Sequence, residues 1–179
     1  MRLFTGIDLP EPILDRLGRL LALLRPTAHL KWSPLDNLHI TTKFIGEWPE
    51  EKLETFKTAL GAIQKRRPIE IAVEGLGWFP NPQKPRVFWA GVHGGQALRD
   101  LAGAIEHTLE PVGVAAETRP YSPHLTLARI SQPAPLTPVL QAIAKLDSVE
   151  FGSFEATTFY LYLSAGGVYT KLSEFRFAA

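Results

Sequence analysis

Two histidines stand in the same short pattern at two places in the chain, His39 in "NLHITTKFIG" and His124 in "PHLTLARI", each followed two positions later by a threonine, Thr41 and Thr126. In an extended strand side chains alternate between faces, so each histidine shares a face with its threonine while Ile40, Thr42 and Phe44, or Leu125 and Leu127, turn the other way. Imidazole titrates near neutral pH, so two copies can be held in opposite protonation states, one accepting a proton while the other donates one. Threonine hydroxyls on the same face can hydrogen-bond phosphoryl oxygens. Together these groups suit phosphoryl transfer, where positioning and charge stabilisation supply most of the rate and a paired acid and base avoid a free alkoxide. One such pattern does not separate a catalytic histidine from a satisfied strand histidine; its recurrence in matching places does.

The elements that must position the pairs also recur. Leu3 to Leu9 reads as a strand, and Pro10-Glu11 opens a helix with Ile13, Leu14, Leu17, Leu20, Leu21 and Leu24 at helical spacing, closed by Pro26. After the first histidine strand, Pro49 starts a helix carrying Leu53, Phe56, Leu60 and Ile63, and a strand follows around Ile69 to Val73. Beyond the turn-rich "FPNPQKP", the order repeats: strand "RVFWAGV" from Arg86, a helix with Leu98, Leu101, Ile105 and Leu109, the second histidine strand, a short helix with Val139, Leu140 and Ile143, and strands over Phe154 to Leu163 and Val168 to Phe177. "RLFTGI" echoes "RVFWAGV" as "HIT" echoes "HLT". The expectation is a single α+β domain, 1–179, of two similar halves (about 1–78 and 86–179). Two antiparallel sheets would face a central cleft, with helices packed outside. A pseudo-two-fold relation would bring both His/Thr pairs into that cleft.

Composition narrows the chemistry. The 179 residues are 45% hydrophobic and 21% charged, ordinary for a globular domain, and the net charge of +1 provides no general field for nucleic acid or membrane, so any basic patch is local. With no cysteine, thiolate nucleophiles, disulfides and cysteine-bound metals are excluded. Two histidines without adjacent carboxylates fall short of a zinc ligand set, and no phosphate-loop or dinucleotide fingerprint is present; neither metal nor cofactor is expected. The first residues, "MRLFTGIDLPEPILD", resemble neither a signal peptide nor a spanning helix, so a cytoplasmic protein is expected.

The paired motifs resemble the twin H-x-T-x motifs of the 2H phosphoesterase superfamily, and within it the bacterial and archaeal RNA 2′,3′-cyclic phosphodiesterases, long labelled 2′-5′ RNA ligases. "RLFTGIDLP", "NLHITTKFIGE", "RVFWAGV", "RPYSPHLTLARI" and "FYLYLS" stand in the family's order along nearly the whole chain. That resemblance implies metal-independent hydrolysis of an RNA or nucleoside 2′,3′-cyclic phosphate to a 2′-phosphate. It makes His39 the proton donor to the departing 3′ oxygen, His124 the base that activates water, and Thr41 and Thr126 the holders of phosphate oxygens. The strand argument alone yields two histidines without saying which is acid. Joining of RNA ends through the cyclic phosphate, or binding of such ends without chemistry, are the alternatives. The expected partners are RNA 3′ ends or nucleotides bearing the cyclic phosphate, taken by a monomer.

Other residues are weighed by parity. Arg129 stands where the family places a phosphate-binding cation, yet alternation sets it opposite His124 unless the strand bulges near Ala128. Lys43 is read as solvated surface and Phe44 as core. Tyr121 is a candidate to stack on a base at the cleft mouth, with packing as its other reading. Trp32, Trp48, Trp78 and Trp89 are read as sealing the core. The "QKRRP" run from Gln64 is read as a helix end favoured by the dipole. His29, His93 and His107 lack a symmetric partner.

Overall fold

The computed structural model describes residues 1–63 and 65–178. Its elements run β1 (Arg2–Ile7), α1 (Glu11–Leu24), β2 (Lys31–Trp32), β3 (Ile40–Glu47), α2 (Leu53–Gly61), β4 (Ile69–Phe79), β5 (Val87–His93), α3 (Gly95–Leu109), β6 (His124–Arg129), α4 (Thr137–Ala144), β7 (Glu150–Ala156), β8 (Thr158–Ala165) and β9 (Val168–Arg176). Pro12 in the first turn of α1 costs no helical bond, and Ile13, Leu17, Leu20, Leu21 and Leu24 form the stripe it buries. Helix α3 buries Leu98, Leu101, Ala102, Ile105 and Leu109 in the same way, and the turn after it ends at Gly113, whose φ of 110° suits a residue without Cβ. The strand expected over Phe154 to Leu163 breaks at Thr157, so its parts enter different sheets as β7 and β8. The basic run lies beyond α2 rather than in its last turn: the helix ends at Gly61, Lys65 bridges to Ala178, and Gln64 lies outside the described residues.

Two antiparallel sheets result, in strand orders β3-β1-β8-β9 and β2-β6-β5-β4-β7. Neither is built from one half of the sequence. Strand β4 crosses to pair with β5, and β8 returns to pair with β1, so each sheet holds strands from both halves. The helices pack outside: α1 lies against β7 and α4, while α3 lies against β3 and α2. The buried side chains, among them Leu17, Ile40, Phe56, Phe88, Leu125 and Phe159, form one cluster between helices and sheets. Strand β3, which His39 immediately precedes, and strand β6, which His124 opens, run beside one another.

Both strands carry a bulge three residues after the histidine. Along β1, Thr5 pairs with Lys43 and Gly6 with Thr41, leaving Thr42 as the extra residue; along β5, Phe88 pairs with Ala128 and Trp89 with Thr126, leaving Leu127. A bulge inserts one residue and so reverses the parity of everything beyond it. Two expectations are corrected as a result. Lys43 is buried at 4% exposure, and its Nζ donates to Glu106 Oε1 at 3.2 Å and the Ala115 carbonyl at 2.9 Å, with Glu117 Oε1 at 3.6 Å. Phe44 is 60% exposed and sits on the face of His39, its ring 6.3 Å from that of Phe4. Thr42 stays on the core side, where its hydroxyl meets that of Thr5 at 2.7 Å.

Lys43 thus fastens the bulged strand to α3 through a charge that has little access to water. Replacing it with methionine keeps the aliphatic stem but leaves the Ala115 carbonyl without its donor and Glu106 with only the Glu117 N–H. The expected cost is about 2 kcal/mol, read as a lower urea midpoint at unchanged slope.

Candidate active site

His39 lies one residue ahead of β3 and is held at both ring nitrogens. Nδ1–H donates to the Asn37 carbonyl at 2.8 Å, which leaves Nε2 of the neutral ring to accept from the Thr41 hydroxyl at 2.7 Å. The Asn37 side chain is itself anchored, its Nδ2 donating to the Gly167 carbonyl at 2.9 Å in the β8–β9 turn. Phe4, Tyr169 and Tyr162 surround the imidazole at centroid distances of 4.6, 5.2 and 5.8 Å. Gly6 supplies the remaining room: a Cβ there would meet the Ile40 carbonyl oxygen at 2.9 Å and His39 Cδ2 at 3.2 Å. Burial lowers the His39 pKa from its ordinary value, opposed by the Asn37 hydrogen bond and the Asp8 charge, which raise it.

His124 repeats the device in a more open setting. Its Nδ1–H donates to the Ser122 carbonyl at 2.9 Å, again the carbonyl two residues before, and the side chain is exposed. Both rings therefore share a tautomer, with Nε2 left for chemistry. Gly91 pairs with His124 across the sheet, and a Cβ there would strike the Glu74 carbonyl oxygen at 2.3 Å. Ser33 secures the bulge, its hydroxyl donating to the Thr126 carbonyl at 2.8 Å and its N–H to the Leu127 carbonyl at 2.9 Å.

The bulge at Leu127 removes the parity objection to Arg129. Leu127 and Ala128 are both fully buried, and the exposed Arg129 returns to the side of His124 and Thr126. Phe44 holds the matching place in β3. Tyr121 turns inward: its hydroxyl donates to the Thr41 carbonyl at 2.8 Å, and its ring packs against the core. In that position it ties the segment leading to His124 to the strand that follows His39, so one hydrogen bond joins the two motifs.

Beside His39 opens a cavity of about 370 Å³, lined by Asp8, Asn37, His39, Tyr162, Tyr169 and Lys171. The Tyr162 hydroxyl is buried there with no hydrogen-bond partner among the described residues, and burial followed by the charge of Asp8 pushes its pKa up, so it remains a donor. Lys171 pairs with Asp8 and lies 4.3 Å from the Tyr160 ring centroid. The alternating tyrosines of "FYLYLS" could have marked this face in the sequence; Gly6, Asn37 and Phe4 carried no such signal. Among the described residues no cluster of three His, Cys, Asp or Glu side chains could hold a metal ion, and no helix is long and apolar enough to cross a membrane.

Similarity to known proteins follows the same pattern along the chain. The family model of LigT-like phosphoesterases matches residues 7–89 and 92–169. An RNA 2′,3′-cyclic phosphodiesterase of Methanothermobacter thermautotrophicus is 33% identical over 98% of this chain and 98% of its own length. One from Methanocaldococcus jannaschii is 35% identical over 97% and 99%. Among solved structures, a Thermus thermophilus protein superposes with a TM-score of 0.81 at 31% identity, covering 98% of this chain and 97% of its own. E. coli LigT complexed with 3′-AMP gives 0.76 at 26% identity, over 99% and 98%. With its paired His-x-Thr strands, its bulged sheets and these relatives, the chain belongs to the 2H phosphoesterase superfamily, in its RNA 2′,3′-cyclic phosphodiesterase/LigT family.

Proposed function

We propose that the chain hydrolyses RNA or nucleoside 2′,3′-cyclic phosphate to the 2′-phosphate without a metal, His39 serving as acid and His124 as base. The observation that carries this reading is the duplicated device: two imidazoles, each fixed through Nδ1–H to the carbonyl two residues before it, on neighbouring strands of facing sheets. Water attacks phosphorus as His124 Nε2 takes its proton. The P–O3′ bond breaks as protonated His39 delivers a proton from Nε2 to the 3′ oxygen. Thr41 and Thr126 hydroxyls hold the non-bridging oxygens, Thr41 exchanging its bond with His39 for one with phosphate, and Arg129 balances the charge that develops there. Tyr121 acts as a positioning residue through its bond to Thr41.

The protein works as a cytoplasmic monomer on RNA 3′ ends. Turnover of a nucleoside 2′,3′-cyclic phosphate is expected to persist in EDTA and to yield only the 2′-phosphate, read by phosphorus NMR. Loss of turnover in EDTA restored by a divalent cation, or a 2′-5′-joined product in place of hydrolysis when a 5′-hydroxyl RNA is added, would overturn the reading.

A further inference from the structure

The sheet that carries His124 turns an open face to the cleft, and its register lays side chains in rows across the strands. Thr126, Trp89 and Gly77 form one row; Lys31, Arg129, Val87 and Phe79 form the next. Gly77 shapes the first row, because a Cβ there would lie 2.1 Å from the Trp89 ring, so the indole occupies the space over β4 that a side chain at 77 would fill. Trp89, unlike Trp32, Trp48 and Trp78, is on the cleft side of its sheet rather than against the core. Phe79 continues the same face two residues along and is 52% exposed. Lys31 and Arg129 are exposed at the other end of the row. Opening a terminal cyclic phosphate makes no use of Trp89, Phe79 or Lys31.

Flat aromatic rings beside cations hold single-stranded RNA: bases stack on the rings and the backbone runs along the charge. Trp89 lies one strand away from Thr126 in the same row, so the two rows continue the phosphate site rather than standing apart from it. They cannot be the seat of the terminal nucleoside when His39 protonates the 3′ oxygen, since that sugar then lies on the opposite sheet, beside the cavity of about 370 Å³. We propose that these two rows bind the RNA segment immediately 5′ of the terminal nucleotide, its bases against Trp89 and Phe79 and its phosphodiester against Lys31. The proposal rests on the cyclic phosphodiesterase reading and makes the protein an enzyme of RNA ends in preference to free nucleotides.

The test compares kcat/KM for a pentaribonucleotide ending in a 2′,3′-cyclic phosphate with that for a nucleoside 2′,3′-cyclic phosphate. Wild type is expected to favour the oligomer at low salt. Phe79→Ala and Lys31→Gln, both exposed positions, are each expected to lower the oligomer-to-nucleoside ratio about tenfold, while Phe79→Tyr, which keeps the flat ring, retains it. Lys31→Gln is also expected to reduce the salt slope for the oligomer by about 0.7. A ratio that is the same in wild type, Phe79→Ala and Lys31→Gln overturns the proposal. If wild type turns over neither substrate, the phosphodiesterase reading fails instead. Fluorescence anisotropy of a labelled pentaribonucleotide ending in 2′-phosphate then decides whether the rows bind RNA, and an unchanged Kd in Phe79→Ala and Lys31→Gln sinks the proposal.

Discussion

Replacing His124 with alanine leaves an enzyme whose residual kcat/KM falls as pH rises, and replacing His39 leaves one whose residual kcat/KM rises with pH. Either change removes one arm of a positioned acid–base pair, for an expected loss of about 10²- to 10⁴-fold. The double variant falls by less than the product of the two, because the imidazoles act on one transition state. The slopes follow from the proposed roles, His39 as acid and His124 as base. With the base gone, the remaining catalyst is His39, which works only when protonated. Burial holds its pKa below the ordinary value, so in the free enzyme the active fraction declines as pH rises through a value under 6.5. With the acid gone, the remaining group works only when neutral, so activity climbs as protons leave.

A bell-shaped profile of wild type cannot assign these roles, since a lower pKa on the acid than on the base gives the same curve. Single variants can. If the slopes are exchanged, His39 is the base and the assignment is reversed. The environment also predicts a shift between constants: an anionic phosphodiester beside His39 favours its charged form, so in the His124→Ala variant the decline of kcat with pH lies at higher pH than that of kcat/KM.

Arg129→Ala is expected to lower kcat/KM about 10²-fold, or about 2.7 kcal/mol of transition-state stabilisation. Arg129→Lys restores part of this, because an ammonium supplies charge without the planar fork that grips two oxygens. Backbone geometry puts the guanidinium on the side of His124 and Thr126. Without the bulge, alternation would send Arg129 to the core face, where Ala128 and Leu127 now pack at 0% exposure. Opposite it in the duplicated motif stands Phe44, aromatic and exposed, so the two ends of the cleft differ: a cation flanks His124, a ring flanks His39. An Arg129→Ala enzyme within twofold of wild type, with unchanged affinity for a 2′-phosphate product, would reduce Arg129 to a surface cation.

Much of this arrangement was legible beforehand. Apolar spacing placed the four helices, and the repeated order of elements gave two antiparallel sheets with helices outside. The recurrence of His-x-Thr singled out His39 and His124 as candidates, and the fold anchors both rings alike, each through Nδ1–H to the carbonyl two residues before it. Lys43 and Phe44 were assigned to the wrong faces for one reason: period-two alternation holds only until a strand gains a residue, and nothing in "TTKF" announces that Thr42 is the extra one. The same blind spot made Arg129 look misplaced. Tyr121 showed no sign of bonding to Thr41, because that contact joins segments far apart in the chain.

The chain by itself determined what chemistry is available: two imidazoles and two hydroxyls at set intervals, no thiol, and apolar stripes that oblige the helices to cover one face of each sheet. Tertiary structure alone decided how those groups differ. Identical motifs give one histidine enclosed by Phe4, Tyr162 and Tyr169 and another exposed to the cleft. The enclosing tyrosines come from β8 and β9, which cross over from the other half of the sequence to join β1. Desolvation depends on what packs against a group, not on its neighbours in sequence, and so the asymmetry between the two imidazoles arises only on folding.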